Sequence, residues 1–443
     1  MILGNRRARR IACALLAVVL SAGVGCSGGR SARSKHPNVV IYLIDALRKD
    51  HLGVYGYPRS TSPYIDAFAR EAVIFEDAYS TTAWTKPAVA SLLTGLNPPR
   101  HGVLDRRNYL PDSVPILSEY LKALGYATNA VITNPHASAQ WGFGRGFDRF
   151  SEKKDKWDIR ADEVNDTVFK YLSQQKQPFF YYIHTIEPHG PIAPTAPYDR
   201  MFGGHTADGT IPKLEPGAEG ELIQNAKCLY DGAICFNDLQ FGRLLAKLRT
   251  MGLYDDTLII LVADHGEEHM DHGMGGHGEQ LYNEVAQIPL IVKYPRGHYA
   301  GTRTPVRASL LDIVPTVLAV AGADAPGGLE GLDLSRFLES GGTASSDRAL
   351  FLDLNQRRRD GTLRVESGVV DGSFKYMEDL LPEKRKMLYD LDRDPAERTN
   401  LIATDSSQAA RLAGLLEDYQ RKAAEQAIPQ NLREPLKALG YIN

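Results

Sequence analysis

Four largely apolar runs recur along the chain: Asn38 to Ile44, Ala127 to Thr133, Phe179 to His184 and Thr257 to Ala263. Their largely apolar character suits strands buried on both faces better than strands with one wet face. Segments with helical spacing lie between them, at Val114 to Leu124, Asp162 to Ser173 and Leu229 to Met251. Strands that alternate with helices predict an α/β fold, a large, mainly parallel sheet covered by helices on both faces. Ligands of such sheets gather outside the carboxyl ends of the strands. That rule selects Asp45 after the first run, His184 at the end of another, and Asp264 with His265 after a third.

A shorter pattern, Trp84 to Gly95, reads as a helix of about two turns. Thr85 suits its N-cap and Pro87 its first turn, while Gly95 and the Asn97-Pro98-Pro99 run stop it. The Thr85 hydroxyl then has two readings. It caps the helix, or it faces a tetrahedral oxyanion held by unpaired N–H groups and the positive end of the helix dipole.

Asp45, Asp264 and His265 are the metal candidates, because oxygen and nitrogen donors at strand ends can converge on one ion. The segment after Asp264 is unusual: His265, His269, His272 and His277 place four of the chain's 12 histidines in thirteen residues, among Gly273, Gly275, Gly276 and Gly278. Such a loop is too polar for core and too glycine-rich for a surface helix. Ile183 to Pro191 is a second histidine-bearing segment that follows a strand.

Composition narrows the classes. With 443 residues, 43% of them hydrophobic, the chain can bury one large core with a smaller satellite. A formal charge of −3 over that length gives no general attraction for nucleic acid. Arg6, Arg7, Arg9 and Arg10, the apolar stretch from Ile11 to Leu20 and the small residues before Cys26 predict a signal peptide over 1–26. Gly23-Val24-Gly25-Cys26 resembles a bacterial lipobox, which implies lipidation at Cys26, a tether over 27–36 and a lipid-anchored position in the cell envelope, facing the periplasm or the surface. Plain secretion is the alternative. Cys228 and Cys235 are seven apart in one predicted helix, about 10 Å between Cα atoms and too far to bridge, so both are expected as buried thiols.

The motifs together resemble the sulfatase family of the alkaline-phosphatase-like superfamily. Pro87, Ala88, Leu92, Leu93, Thr94 and Gly95 match its signature helix. Ile44-Asp45-Ala46-Leu47-Arg48, Arg100-His101-Gly102-Val103, Glu187-Pro188-His189, Asp264-His265-Gly266-Glu267, Gly276-His277-Gly278, Asp312-Ile313-Val314-Pro315-Thr316 and Asp394-Pro395-Ala396-Glu397 follow in the family's order. Two positions depart from it: Thr85 stands where the family has the Cys or Ser that becomes formylglycine, and Val89 where it has Arg. Threonine cannot yield formylglycine, because its β-carbon already carries a methyl group. The family's Gly-Lys-Trp-His segment is also absent, with Asn134-Pro135-His136 in roughly its place.

The resemblance implies a catalytic domain over 37–345 and a smaller C-terminal α+β part with a helical tail over 346–443. It assigns Asp45, Thr85, Asp264 and His265 to one divalent cation, with Thr85 as covalent nucleophile and His189 and His277 on the oxygens of the transferring group. Lys86, His184 and His136 are expected to meet the substrate. The donor set is compatible with calcium or manganese, and with zinc; a two-metal site is less favoured. The leading function is hydrolysis of sulfate or phosphate esters, phosphate being favoured on chemical grounds, on an anionic envelope glycan or lipid. The alternatives are an envelope transferase of phosphoryl-linked groups and a non-catalytic glycan-binding member.

Overall fold

The computed structural model describes residues 36–152, 160–204, 214–339, 348–357 and 361–427, all within the unit His36–Asn443. The leader and Cys26 lie outside the described residues. The predicted apolar runs become β1 (Asn38–Ile44), β3 (Ala127–Ile132), β5 (Phe179–Thr185) and β6 (Thr257–Ala263), joined by β2 (Val73–Tyr79), β4 (Arg149–Glu152), β9 (Leu290–Lys293) and β10 (Arg303–Ser309). Between β6 and β9 a two-residue pair, β7 (Glu268–His269) and β8 (Gly275–Gly276), forms a small hairpin of its own.

The eight-stranded sheet runs in the order β10-β2-β9-β6-β1-β5-β3-β4. It is parallel except for β9, which runs against both neighbours, β2 and β6. β1, β5 and β6 are buried at every residue. Each Val, Leu or Ile taken fully from water there contributes about 1.5–3 kcal/mol. This agrees with the expected α/β architecture.

Helices flank the sheet, among them Leu117–Ala123, Ala161–Leu172, Glu221–Thr250 and Ile313–Val320. The 30-residue helix Glu221–Thr250 begins about two turns before its predicted start, where Glu221, Gln224, Asn225 and Lys227 interrupt the apolar pattern. Cys228 on it is buried but Cys235, expected to be buried as well, is half-buried; both thiols are free.

A second sheet follows the first. β11 (Leu350–Arg357), β12 (Leu363–Asp371), β13 (Phe374–Leu381) and β14 (Arg385–Asp390) form an antiparallel meander, β11-β12-β13-β14. The helix Ser406–Ala427 covers one face of it through Leu412, Leu416 and Tyr419, and Tyr419 stacks on Phe351 at 4.1 Å. The other face packs Leu352, Leu354 and Met387 against Trp84, Leu281 and Val285. Trp84 precedes the residue of greatest interest, so the second sheet reaches the site. No helix among the described residues is long and apolar enough to cross a membrane.

Candidate active site

Parallel register builds the floor of the site. Ile44 of β1 pairs with Thr185 of β5 on one side and with Ala263 of β6 on the other. The next residues, Asp45 and Asp264, therefore leave adjacent strands at the same level. Asp45 N still donates to Thr185 O (3.0 Å) and Ala46 N donates to Asp264 Oδ1 (3.2 Å), which fixes both carboxylates. His265 Nε2 lies 3.7 Å from Asp45 Oδ1 and 3.5 Å from Asp264 Oδ2. All three side chains are fully buried.

Asp45 Oδ1 and Asp264 Oδ2 have no hydrogen-bond partner among the described residues. Two orphaned buried carboxylate oxygens cost several kcal/mol unless a cation joins them. One ligand atom from each of Asp45, Asp264 and His265 lies within 4.8 Å of the others, so the donor set fits one divalent ion. Protonation follows the same geometry. Burial raises the Asp45 carboxyl, but the His189 charge, the His184 hydrogen bond and His265 outweigh it and hold that carboxyl well below its ordinary range. Burial and the neighbouring Asp45 push Asp264 up. Burial alone would lower His265, yet Asp264 and Asp45 raise it. An excess of negative charge thus surrounds one imidazole.

The signature helix spans Thr85–Thr94 and is buried along its whole length. Thr85 is not its N-cap. Trp84 takes that place with extended backbone (φ −159°, ψ 159°), so Thr85 is already helical and its hydroxyl is released from capping. Thr85 Oγ1 points into the metal candidates, 3.2 Å from His265 Nε2. The helix is held behind by Ser91, whose hydroxyl meets Thr81 (2.8 Å) and His101 Nε2 (3.1 Å); burial lowers His101 to about 3 and keeps it neutral. Gly95 closes the helix at φ 71°, where a Cβ would come within 3.3 Å of Leu329 and Val314.

Asn134 is the functional residue the motifs did not single out. Its Nδ2 donates to Asp45 Oδ2 (2.6 Å) and lies 3.3 Å from Thr85 Oγ1, linking the carboxylate and the hydroxyl. Its Oδ1 accepts from His136 N (2.8 Å). An asparagine before a proline reads locally as a turn, and only the strand order, β3 beside β5 and β5 beside β1, brings it here.

The histidine loops adjoin His265. His277 Nδ1 pairs with Glu267 Oε2 at 2.9 Å, and its ring lies 4.4 Å from that of His265 and 4.7 Å from that of His189. His136 packs edge-on against Trp84 at 6.0 Å; burial first, then the charges of Lys86 and Arg106, lower it to about 4.

Two of the expected substrate contacts are corrected. His184 is fully buried with Nε2 on Asp45 Oδ2 (2.9 Å) and Nδ1 on the Tyr182 hydroxyl (3.1 Å), so it orients the carboxylate instead of meeting an ester. Lys86 points away from Thr85. Its Nζ donates to Arg106 O (2.7 Å) and Asn108 O (3.1 Å) and sits 3.1 Å above the Trp141 ring, while burial lowers it to about 8. A helix turns neighbouring residues by about 100°, and here Thr85 and Lys86 reach different partners.

Several other motif residues do structural work. Asp312 accepts from Ser309 N and Leu332 N (both 2.7 Å) and pairs with Arg348. Glu397 accepts from Asn283 N (2.6 Å) and pairs with buried Lys375 at 2.9 Å, tying the second sheet to the segment that follows the histidine loop.

Comparison with known proteins gives the same picture. The sulfatase family model matches residues 37–323, and the model described as N-sulphoglucosamine sulphohydrolase, C-terminal, matches residues 276–424. The chain is 27% identical to an ulvan-active sulfatase of Formosa agariphila, covering 83% of this chain and 77% of that protein. It is 25% identical to human arylsulfatase A, covering 89% of each. Among solved structures, one of BT4656 in complex with its substrate D-glucosamine-2-N,6-O-disulfate superposes with a TM-score of 0.77 at 20% identity, covering 88% of this chain and 99% of that one.

Proposed function

We propose, proceeding from the fact that this chain belongs to the sulfatase family of ester hydrolases, that it is a metal-dependent hydrolase in which Thr85 is the covalent nucleophile and phosphate esters are favoured over sulfate esters. The observation that carries this reading is the Thr85 hydroxyl, freed from capping and aimed at His265 Nε2 beside two orphaned carboxylate oxygens. Asp45, Asp264, His265 and Thr85 would hold one divalent cation, calcium, manganese or zinc. Bound there, such an ion supplies charge neutralisation and a lowered hydroxyl pKa.

The chain's own residues do the rest. Asn134 keeps the Thr85 oxygen beside Asp45 while the hydroxyl proton leaves to solvent. The Thr85 oxygen then bonds to phosphorus as the bond to the leaving oxygen breaks, and His277, oriented by Glu267, gives that oxygen its proton. His189, next to His277, neutralises charge on the equatorial oxygens. In the second half-reaction water adds to phosphorus as the Thr85 ester bond breaks, one water proton returns to His277, the other stays on the released phosphate, and the Thr85 oxygen takes its proton back from solvent.

The preference for phosphate rests on the exit. A formylglycine enzyme expels sulfate by collapse of the hydrated aldehyde to the carbonyl, so no water need attack sulfur. Threonine has no such exit, and its ester must be displaced at the central atom, which is easier at phosphorus. Matched aryl phosphates and sulfates test this. Metal-loaded protein is expected to turn over the phosphate faster, and Thr85→Ala to lose about 10³-fold or more of that activity while Thr85→Ser keeps part of it. Sulfate turnover that exceeds phosphate and depends on Thr85 would overturn the preference.

We propose also that the protein is exported and anchored through a lipidated Cys26. The support is the basic, apolar and small-residue order of residues 6–26. Mass spectrometry of the mature N-terminus is expected to find an acylated Cys26, and an unmodified chain starting elsewhere would leave plain secretion.

A further inference from the structure

β7 and β8 are two residues each and pair only with one another among the described residues, and so short a hairpin is marginal without outside support. It nevertheless carries the proposed acid. Glu267 precedes β7 and His277 follows β8, so their 2.9 Å pair closes the open end of the hairpin. Where His277 stands depends on what holds this hairpin.

One side chain grips it at both ends. Arg48 Nη1 donates to Glu267 O (3.1 Å) at the open end and to Asp271 Oδ2 (2.7 Å) in the turn. That same Asp271 oxygen accepts from His269 N (3.2 Å), and Lys227 Nζ stands 3.6 Å from Asp271 Oδ1. Asp50 takes the other edge of the guanidinium, Oδ1 from Nε (2.9 Å) and Oδ2 from Nη2 (2.7 Å), which sets the plane of the fork.

Arg48 is in turn tied to the strand-end floor. It stands three residues after Asp45. The buried Tyr230 hydroxyl accepts from Arg48 N (2.8 Å) and donates to Ala46 O (2.6 Å), clamping the turn that leaves β1. Arg48 is itself buried and its charge is met by Asp50 and Asp271, so its work is internal. A rigid fork can hold three acceptors at set angles, whereas an ammonium on a flexible stem cannot.

We infer that Arg48 is a positioning residue: through Glu267 O and Asp271 it ties the hairpin to the turn that bears Asp45, and so sets His277 against the site. Only the use of His277 as an acid rests on the proposed ester-hydrolase reading. The test is a double-mutant cycle of Arg48→Gln and His277→Ala in the manganese-loaded full chain. Its first readout is calorimetric binding of phenylphosphonate, which has no ester to cleave. Arg48→Gln is expected to weaken that binding by about fivefold in the native background and to cost nothing further once His277 is alanine. The second readout is turnover of a series of phenyl phosphates. Arg48→Gln should keep its metal and repeat the leaving-group pattern of His277→Ala with a loss of about tenfold for the poorest leaving groups, and Arg48→Lys should recover part of it. Unchanged phosphonate binding in Arg48→Gln, a loss that persists without His277, or a leaving-group pattern unlike that of His277→Ala overturns the inference. Should Arg48→Gln not fold, Asp271→Asn takes its place in the cycle under the same criteria. If the binding cycle behaves as expected while no phenyl phosphate is turned over, the positioning role stands and the hydrolase reading falls.

Discussion

Asp45, His184, Asp264 and His265 are all fully buried at the ends of neighbouring parallel strands, whereas His136, His189 and His277 are half-buried, His136 on a short 3-10 helix and the other two on loops. The two halves of the site meet where the His265 and His277 rings lie 4.4 Å apart, yet different forces hold them. The strand-borne half is fixed by ladder hydrogen bonds and by Asn134, and it could shift only if a strand slipped. The loop-borne half depends on outside support. Glu267 holds His277, Arg364 of β12 donates to Glu279 O (2.6 Å), and Lys375 of β13 reaches Asn283 Oδ1 (3.0 Å). Metal affinity should therefore reside in the rigid half, and proton transfer with substrate selection in the half that must admit and release an ester.

Removing a carboxylate from the strand half should give the largest effect. Asp264→Ala is expected to abolish stoichiometric divalent binding and lower turnover by about 10³-fold or more, with unfolding still cooperative. Metal analysis of the purified variant checks this, and full metal content would break the division of labour.

A smaller and more selective loss should follow in the loop half. His277→Ala is expected to retain metal while turnover falls by about 10²-fold or more for an ester with a poor leaving group, and much less for one whose leaving oxygen needs no proton. Measuring rates across a series of phenol leaving groups resolves the two cases. A uniform loss across the series would assign His277 to binding and not to acid catalysis.

The smallest effect tests the support itself. Glu366 of β12 is buried beside Arg364, and burial, with Asp379 adding to it and Arg364 opposing it, raises its carboxyl to about 7. A carboxyl with a raised folded-state pKa holds its proton more tightly when folded. Stability from this group is therefore complete below about pH 4.5 and falls as pH rises to about 7, by up to about 3 kcal/mol. Glu366→Gln should flatten that slope in denaturant titrations at several pH values without changing metal content. An unchanged slope would mean that another buried acid governs it.

Much of the strand half was legible in the chain. Short apolar runs of strand length suit buried strands, and a charged residue immediately after such a strand emerges at its end, so Asp45, Asp264 and His265 followed from local pattern and the switch of polarity. The expected families of helix and strand also followed, although the amphipathic signal faded at the polar start of Glu221–Thr250. The second sheet was less visible. Its first strand, β11, alternates buried and half-buried residues and draws its register from β12, so local composition shows little of the pairing.

Tertiary structure alone decided the rest. Local chemistry left Thr85 either a cap or a nucleophile, and the extended backbone of Trp84, packed under the second sheet, settled that it does not cap. Asn134 became part of the site through strand order, which places β3 next to β5 and β5 next to β1, distances of 49 and 89 residues from Thr85 and Asp45 along the chain. Lys86 and His184 lost their expected substrate contacts to carbonyls and a carboxylate that no sequence window contains. The sequence by itself determined which residues must lie at strand ends, because burial acts residue by residue. Which of them meet, and which are already satisfied by other partners, was decided by the sheet, because hydrogen bonds and charges act between residues far apart in the chain.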